Sequence, residues 1–131
     1  MFSKTILSLI ASAMLFTGSV AAAEPVRIIF ETDMGNDVDD PLALDMLYKA
    51  VDRGEITLLG ILSSKDTEFS PRYIDMMNTW YGYPEIPVGR VRDGVVLKRD
   101  DYARAVCESG LFPRSRRDRD YGDPVTLYRR L

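Results

Sequence analysis

Apolar residues gather in two short, nearly continuous runs, Val26 to Phe30 and Ile56 to Leu62, separated by a stretch in which they recur at three- and four-residue spacing. Runs of this kind mark parallel strands covered on both faces. The stretch between them predicts a helix from about Pro41 to Arg53, with Leu42, Ala43, Met46, Leu47, Ala50 and Val51 on one broad face and Gly54 as its stop. Asp45 and Lys49 are spaced to pair on the exposed side. Strand, helix and strand make a β-α-β unit, whose crossover is expected to be right-handed.

The alternation continues. Ser70-Pro71 reads as a cap followed by a favoured first helical residue, opening a helix to about Tyr81 with Gly82 as its stop. Tyr73, Ile74, Met77, Trp80 and Tyr81 recur at helical spacing and read as a core stripe rather than a base-stacking platform. Ile86-Pro87-Val88 is a short third strand, Val95 to Leu97 a strand fragment, and Tyr102 to Ser109 a short helix. Asp123-Pro124 repeats the cap-then-proline start for a helix reaching Leu131. The expected class is α/β, the amino-terminal part of a Rossmann-like, mainly parallel sheet with flanking helices, over residues 24–131. A chain that stops inside a helix just begun reads as truncated.

Before that domain stands a segment with the features of a secretory signal peptide: Lys4 as a basic start, an apolar run from Ile6 to Phe16, then Ala21-Ala22-Ala23 before Glu24. The run is shorter than the roughly 20 residues of a membrane-spanning helix. Export to the periplasm or the extracellular space is therefore expected, with no stable membrane span. The single Cys107 cannot close an internal disulfide. Cleavage after Ala23 removes one cation, Lys4, and takes the net charge from −3 to −4. An acidic chain argues against nucleic acid as a partner. Pro113 to Asp120, with Arg114, Arg116, Arg117 and Arg119, is a local exception whose interleaved acids make it a solvated loop.

The candidate chemistry lies in the turn after the first strand, where Asp33, Asn36, Asp37, Asp39 and Asp40 follow Glu31. Carboxylates so close repel, and a cation or a polar ligand offsets that repulsion. A calcium-binding helix-loop-helix starting at Asp33 would need Gly at its sixth position and Glu at its twelfth; Val38 and Leu44 stand there. Neither a phosphate-binding loop nor a dinucleotide fingerprint is present. Helix capping is the plainer reading for Asp40 before Pro41, and reaches Asp39, but leaves Asp33 and Asp37 unexplained. In an open α/β sheet this turn sits at the carboxyl edge, where ligands bind, and Ser63-Ser64-Lys65-Asp66-Thr67 ends the second strand at the same edge.

The segment Ile28-Ile29-Phe30-Glu31-Thr32-Asp33-Met34-Gly35-Asn36-Asp37-Val38-Asp39-Asp40-Pro41-Leu42-Ala43-Leu44 resembles the amino-terminal signature of the nucleoside hydrolase family, Asp-x-Asp-Pro-Gly-x-Asp-Asp between a hydrophobic strand and an Ala/Leu-rich helix. It looks most like the variant branch written Asp-x-Gly-Asn-Asp-x-Asp-Asp. SSKD, from Ser63 to Asp66, and YIDMMNTWYGYPEIPVG, from Tyr73 to Gly89, extend the similarity.

The resemblance implies hydrolysis of the N-glycosidic bond of ribonucleosides to ribose and free base. In that family a calcium ion holds the ribose hydroxyls and the attacking water. It further implies that Asp33 is metal ligand and general base, that Asp40 is a metal ligand and that Asp39 holds ribose. Counting forward from Asp33 gives the ribose role to Asp37 instead. Asn36 is a further candidate for a ribose contact. Asp66 falls near a family Asn that contacts ribose, and Lys65 accompanies it. The expected partner is a nucleoside or related riboside, with a homo-oligomer possible for the full-length form. The resemblance covers only the family's amino-terminal portion. It leaves out a backbone carbonyl and an Asp that complete the metal site, and the His residues that assist the leaving base; this chain has no His. Catalysis by these residues alone is not expected, and a non-catalytic calcium- or sugar-binding module is the alternative.

Overall fold

The structure, a computed structural model, describes residues 23–92 and 101–131. The signal peptide expected over residues 1–23, apart from Ala23, and the strand fragment at residues 95–97 lie outside them. The described elements are β1 (Val26–Thr32), α1 (Asp39–Asp52), β2 (Ile56–Ser63), α2 (Phe69–Trp80), β3 (Val88–Arg90), α3 (Asp101–Ser109), a 3-10 turn (Asp118–Asp120) and α4 (Pro124–Tyr128). The α/β class holds: the strands form one parallel sheet in the order β1-β2-β3 with helices beside it. No helix of the described residues is long and apolar enough to cross a membrane.

The register fixes what each face carries. Ile28 pairs with Leu58 and Ile29 with Gly60, so Leu59 is an extra residue on β2. Beyond this irregularity Phe30, Ile61 and Val88 form one cross-strand row, and Thr32, Ser63 and Arg90 the row at the carboxyl edge of the same face. That face meets the core, in which Met34, Leu44, Tyr48, Ile61 and Ile74 have no exposed surface. Tyr48 stacks on Tyr81 at 4.5 Å and donates its hydroxyl to Asn78, whose amide donates to Ile86 O at 3.1 Å. On the opposite face Gly89 lets α4 approach: a Cβ there would stand 3.0 Å from Pro124 Cα. β3 is flanked on its outer side by Gly122, whose N–H donates to Val88 O at 3.2 Å while its carbonyl accepts from Arg90 N at 2.8 Å.

α1 and α2 follow the sequence at their carboxyl termini, whereas α4 ends at Tyr128, short of the expected Leu131. Gly54 and Gly82 take positive φ, 70° and 85°. Around them Glu55 N reaches Ala50 O and Tyr83 N reaches Asn78 O, closing both helices in the six-to-one pattern that suits glycine. The starts differ. α1 begins at Asp39, with Val38 as a cap that makes no side-chain bond, and the carboxylate of Asp40 turns to Thr32 instead of capping. α2 begins at Phe69, one residue before the expected cap; Ser70 lies inside it, its N–H bonded to Thr67 Oγ1 at 3.1 Å. Only at α4 does the expected cap form, Asp123 accepting from Thr126 N at 2.7 Å.

Three side-chain expectations need correction. α1 buries Leu44 and Tyr48, not Leu42 and Met46, which are 59% and 69% exposed, because the apolar stripe that meets β2 runs through positions 44, 48 and 51. Trp80 is 69% exposed and rests edge-to-face on Phe112 at 5.8 Å, outside the core stripe. Pro113 to Asp120 is not a loop held only by water. Asp75, buried in α2, accepts from Ser115 N, Ser115 Oγ, Arg116 N and the Arg116 guanidinium at 2.7–3.1 Å. Asp118 pairs with Arg72 and Arg114, which hold its carboxyl well below the usual range. These arginines are engaged by carboxylates.

Candidate functional site

β1 delivers the acidic turn through two anchors on either side of Asp33. Thr32 Oγ1 accepts from Met34 N at 3.1 Å and donates to Asp40 Oδ1 at 2.6 Å. Met34 is fully buried in the core cluster, which drives the backbone inward between Asp33 and Asn36. Gly35 follows with φ 141°, a conformation that side chains resist, and its N–H bonds the Tyr102 hydroxyl of α3 at 3.0 Å. The outcome is a turn pinned at Thr32, Met34 and Gly35, with Asp33, Asn36, Asp37 and Asp39 exposed.

Asp40 is the half-buried carboxylate of the group. Burial raises its pKa above 3.8, the Thr32 bond lowers it, and the charges of Asp33, Asp39 and Asp37 raise it further. These acids therefore act on one another electrostatically although no three of them converge as a ligand set among the described residues. The donor chemistry suits a hard cation such as calcium, which takes carboxylate and other oxygens. A calcium ion here would need further oxygen ligands, since no three of these carboxylates converge.

The second turn comes to the first. Ser64 N donates to Thr32 O at 3.0 Å, and Lys65, fully buried, donates from Nζ to Asn36 Oδ1 at 2.6 Å. An ammonium can only donate, so the Asn36 amide is held with its oxygen on Lys65 and its NH2 available to a ligand. Ser63 Oγ shares a hydrogen bond with Ser70 Oγ at 2.8 Å and reaches Lys65 O at 3.3 Å, tying this turn to the start of α2. Asp66 follows Lys65 in the same turn and is half-buried.

Of the expected site residues, the structure thus joins Asn36 with Lys65 directly, and Asp40 with Asp33, Asp37 and Asp39 through their charges. Beside them at the same edge lies a largely apolar cleft of about 340 Å³, lined by Glu31, Leu62, Ser64, Val91, Pro124 and Tyr128. None of Asp33 to Asp40 lines it, so it is a neighbour of the acidic turn rather than its floor. Thr32, Met34 and Tyr102 were not anticipated as supports. The hydroxyl that ends β1 and the lone apolar residue between Asp33 and Gly35 carried the signal for the first two; nothing local pointed to Tyr102, which lies 67 residues from its partner. Compared with protein-family models, curated proteins and solved structures, the chain finds no match.

Proposed function

We propose that this edge is the calcium- and ribose-binding part of a nucleoside hydrolase-like N-ribosidase, exported and acting on a nucleoside or related riboside. The observation that carries the reading is the pairing of two turns at the carboxyl edge, one bearing Asp33, Asp37, Asp39 and Asp40, the other fixing Asn36 through Lys65. Sugar hydroxyls both donate and accept; the carboxylates supply acceptors and the Asn36 amide a donor. Calcium bound by Asp33 and Asp40 would acidify and align water, with Asp33 taking its proton. A carboxylate near the anomeric carbon would also stabilise the cation-like sugar as the base leaves. Asp39 or Asp37 would hold ribose, with Asp66, which follows Lys65 in the second turn, as a further candidate.

A second reading has its own support. The chain has no His to assist a leaving base, which fits a module that binds calcium or a sugar without turnover. Calorimetric titration of the full chain with calcium, against Asp33→Ala and Asp40→Asn, tests what both share. Saturable binding lost in both variants supports the metal site; unchanged binding sinks both readings. Release of ribose from inosine by a version extended at its carboxyl end, absent in its Asp33→Ala variant, separates the enzyme from the module.

A further inference from the structure

The carboxyl edge carries a cationic feature as well as an acidic one. Arg90 ends β3 in the row Thr32, Ser63, Arg90, two strand spacings, roughly 10 Å, from the residue that holds Asp40. The extended pairing continues past it, Val91 N donating to Ser63 O at 3.3 Å, so Arg90 and Arg92 fall on the same side of the chain. Both line one cleft of about 350 Å³ with Val91, Asp123, Pro124 and Val125. Asp123, a carboxylate in the same cleft, caps α4 and feels the charge of Arg92, which donates to Tyr121 O at 3.0 Å and to Asp118 O at 3.5 Å. Arg90 Nε is buried and has no hydrogen-bond partner among the described residues. A buried guanidinium N–H without an acceptor is an uncompensated desolvation, and the acceptor that matches its planar fork is an oxyanion.

We propose that Arg90 and Arg92 form an oxyanion subsite that takes the phosphate of a phosphorylated sugar or nucleoside. The phosphate part stands on Arg90 and its cleft; the sugar part rests on the riboside reading of the acidic turn. With the anion at β3 and the hydroxyls at β1, a ligand lies across β2, and the acidic turn is kept from the phosphate by about a Debye length at physiological salt.

The test is titration of the full chain with inorganic phosphate at constant ionic strength, followed through the arginine Nε–Hε resonances. A saturable shift of the Arg90 resonance is expected, with affinity lowered about tenfold in Arg90→Gln and more weakly in Arg92→Gln, whose exposed site leaves folding intact. No saturable shift, or unchanged affinity in folded Arg90→Gln and Arg92→Gln, overturns the subsite; if Arg90→Gln does not fold, unchanged affinity in Arg92→Gln alone does so. Ribose 5-phosphate is then expected to bind more tightly than phosphate, the excess being lost in Asp33→Ala. Equal affinities overturn the phosphorylated-sugar assignment. Calcium binding unaffected by Arg90→Gln, or absent altogether, reports on the riboside reading separately.

Discussion

Thr32 and Asp40, eight residues apart, are joined by a hydrogen bond of 2.6 Å that ties the end of β1 to the first turn of α1. Thr32→Val keeps the shape and removes the donor. It is expected to cost about 1–2 kcal/mol, since both Asp40 and Met34 N lose a partner. It also pushes the Asp40 pKa further up, because this bond lowers it. Urea unfolding and carboxyl NMR titration check the two effects.

Asp40→Asn separates stability from binding. The folded pKa of Asp40 lies above its ordinary 3.8, so its ionised form burdens the fold at neutral pH, and the fold regains stability as pH drops through the raised value towards 3.8. In chelator at pH 7 the variant is expected to melt higher than the parent, with the gap closing in acid. On the proposed metal-binding reading calcium competes with the same proton, so the parent's calcium affinity should decline on acidification from a higher pH than an ordinary carboxylate would give. Thermal melts and calorimetry across pH 3–7 would decide; a lower melting temperature for Asp40→Asn at pH 7 contradicts the account.

Asp75→Asn leaves Arg116 largely buried without its carboxylate and weakens four other contacts. The expected loss is about 3 kcal/mol. Trypsin should then cut after Arg114, Arg116 or Arg117 before it cuts elsewhere, and an uncut loop in a destabilised variant would mean that something other than Asp75 holds residues 113–121.

Gly89→Ala probes the close approach of α4. The new methyl would meet Leu62 Cδ2 at 2.9 Å and Pro124 Cα at 3.0 Å; the side chain can turn aside but the backbone atom cannot. A loss of about 1–3 kcal/mol is expected, with chemical-shift changes concentrated at residues 122–128.

How far the sequence carried the fold depends on whether a residue's partner is near or far. β1 and β2 were legible because near-continuous apolar runs leave few alternatives, and the ends of α1 and α2 because Gly54 and Gly82 adopt the positive φ that others avoid; β3 runs over Val88–Arg90 and shares only Val88 with the expected Ile86 to Val88. Asp40 was readable as acid but not as a partner of Thr32, because a local rule gave it a capping role that tertiary geometry overrode. Asp75 could have been found: it lies with Pro71, Ile74 and Asn78 on one helical face, and a carboxylate at such positions needs donors from another segment. The site showed the same divide. Its acids were plain in the sequence, whereas the fixing of Asn36 by Lys65 joins residues 29 apart.

The bond from Gly35 N to the Tyr102 hydroxyl gives the acidic turn a history. The turn joins β1 to α1, ahead of α3 in the chain, yet it cannot finish forming until α3 has been made and has docked. Its maturation is thereby deferred: a nascent chain holding only β1 and α1 carries the acids without the geometry. Amide exchange at Gly35 should accordingly track the docking of α3 rather than the fraying of α1.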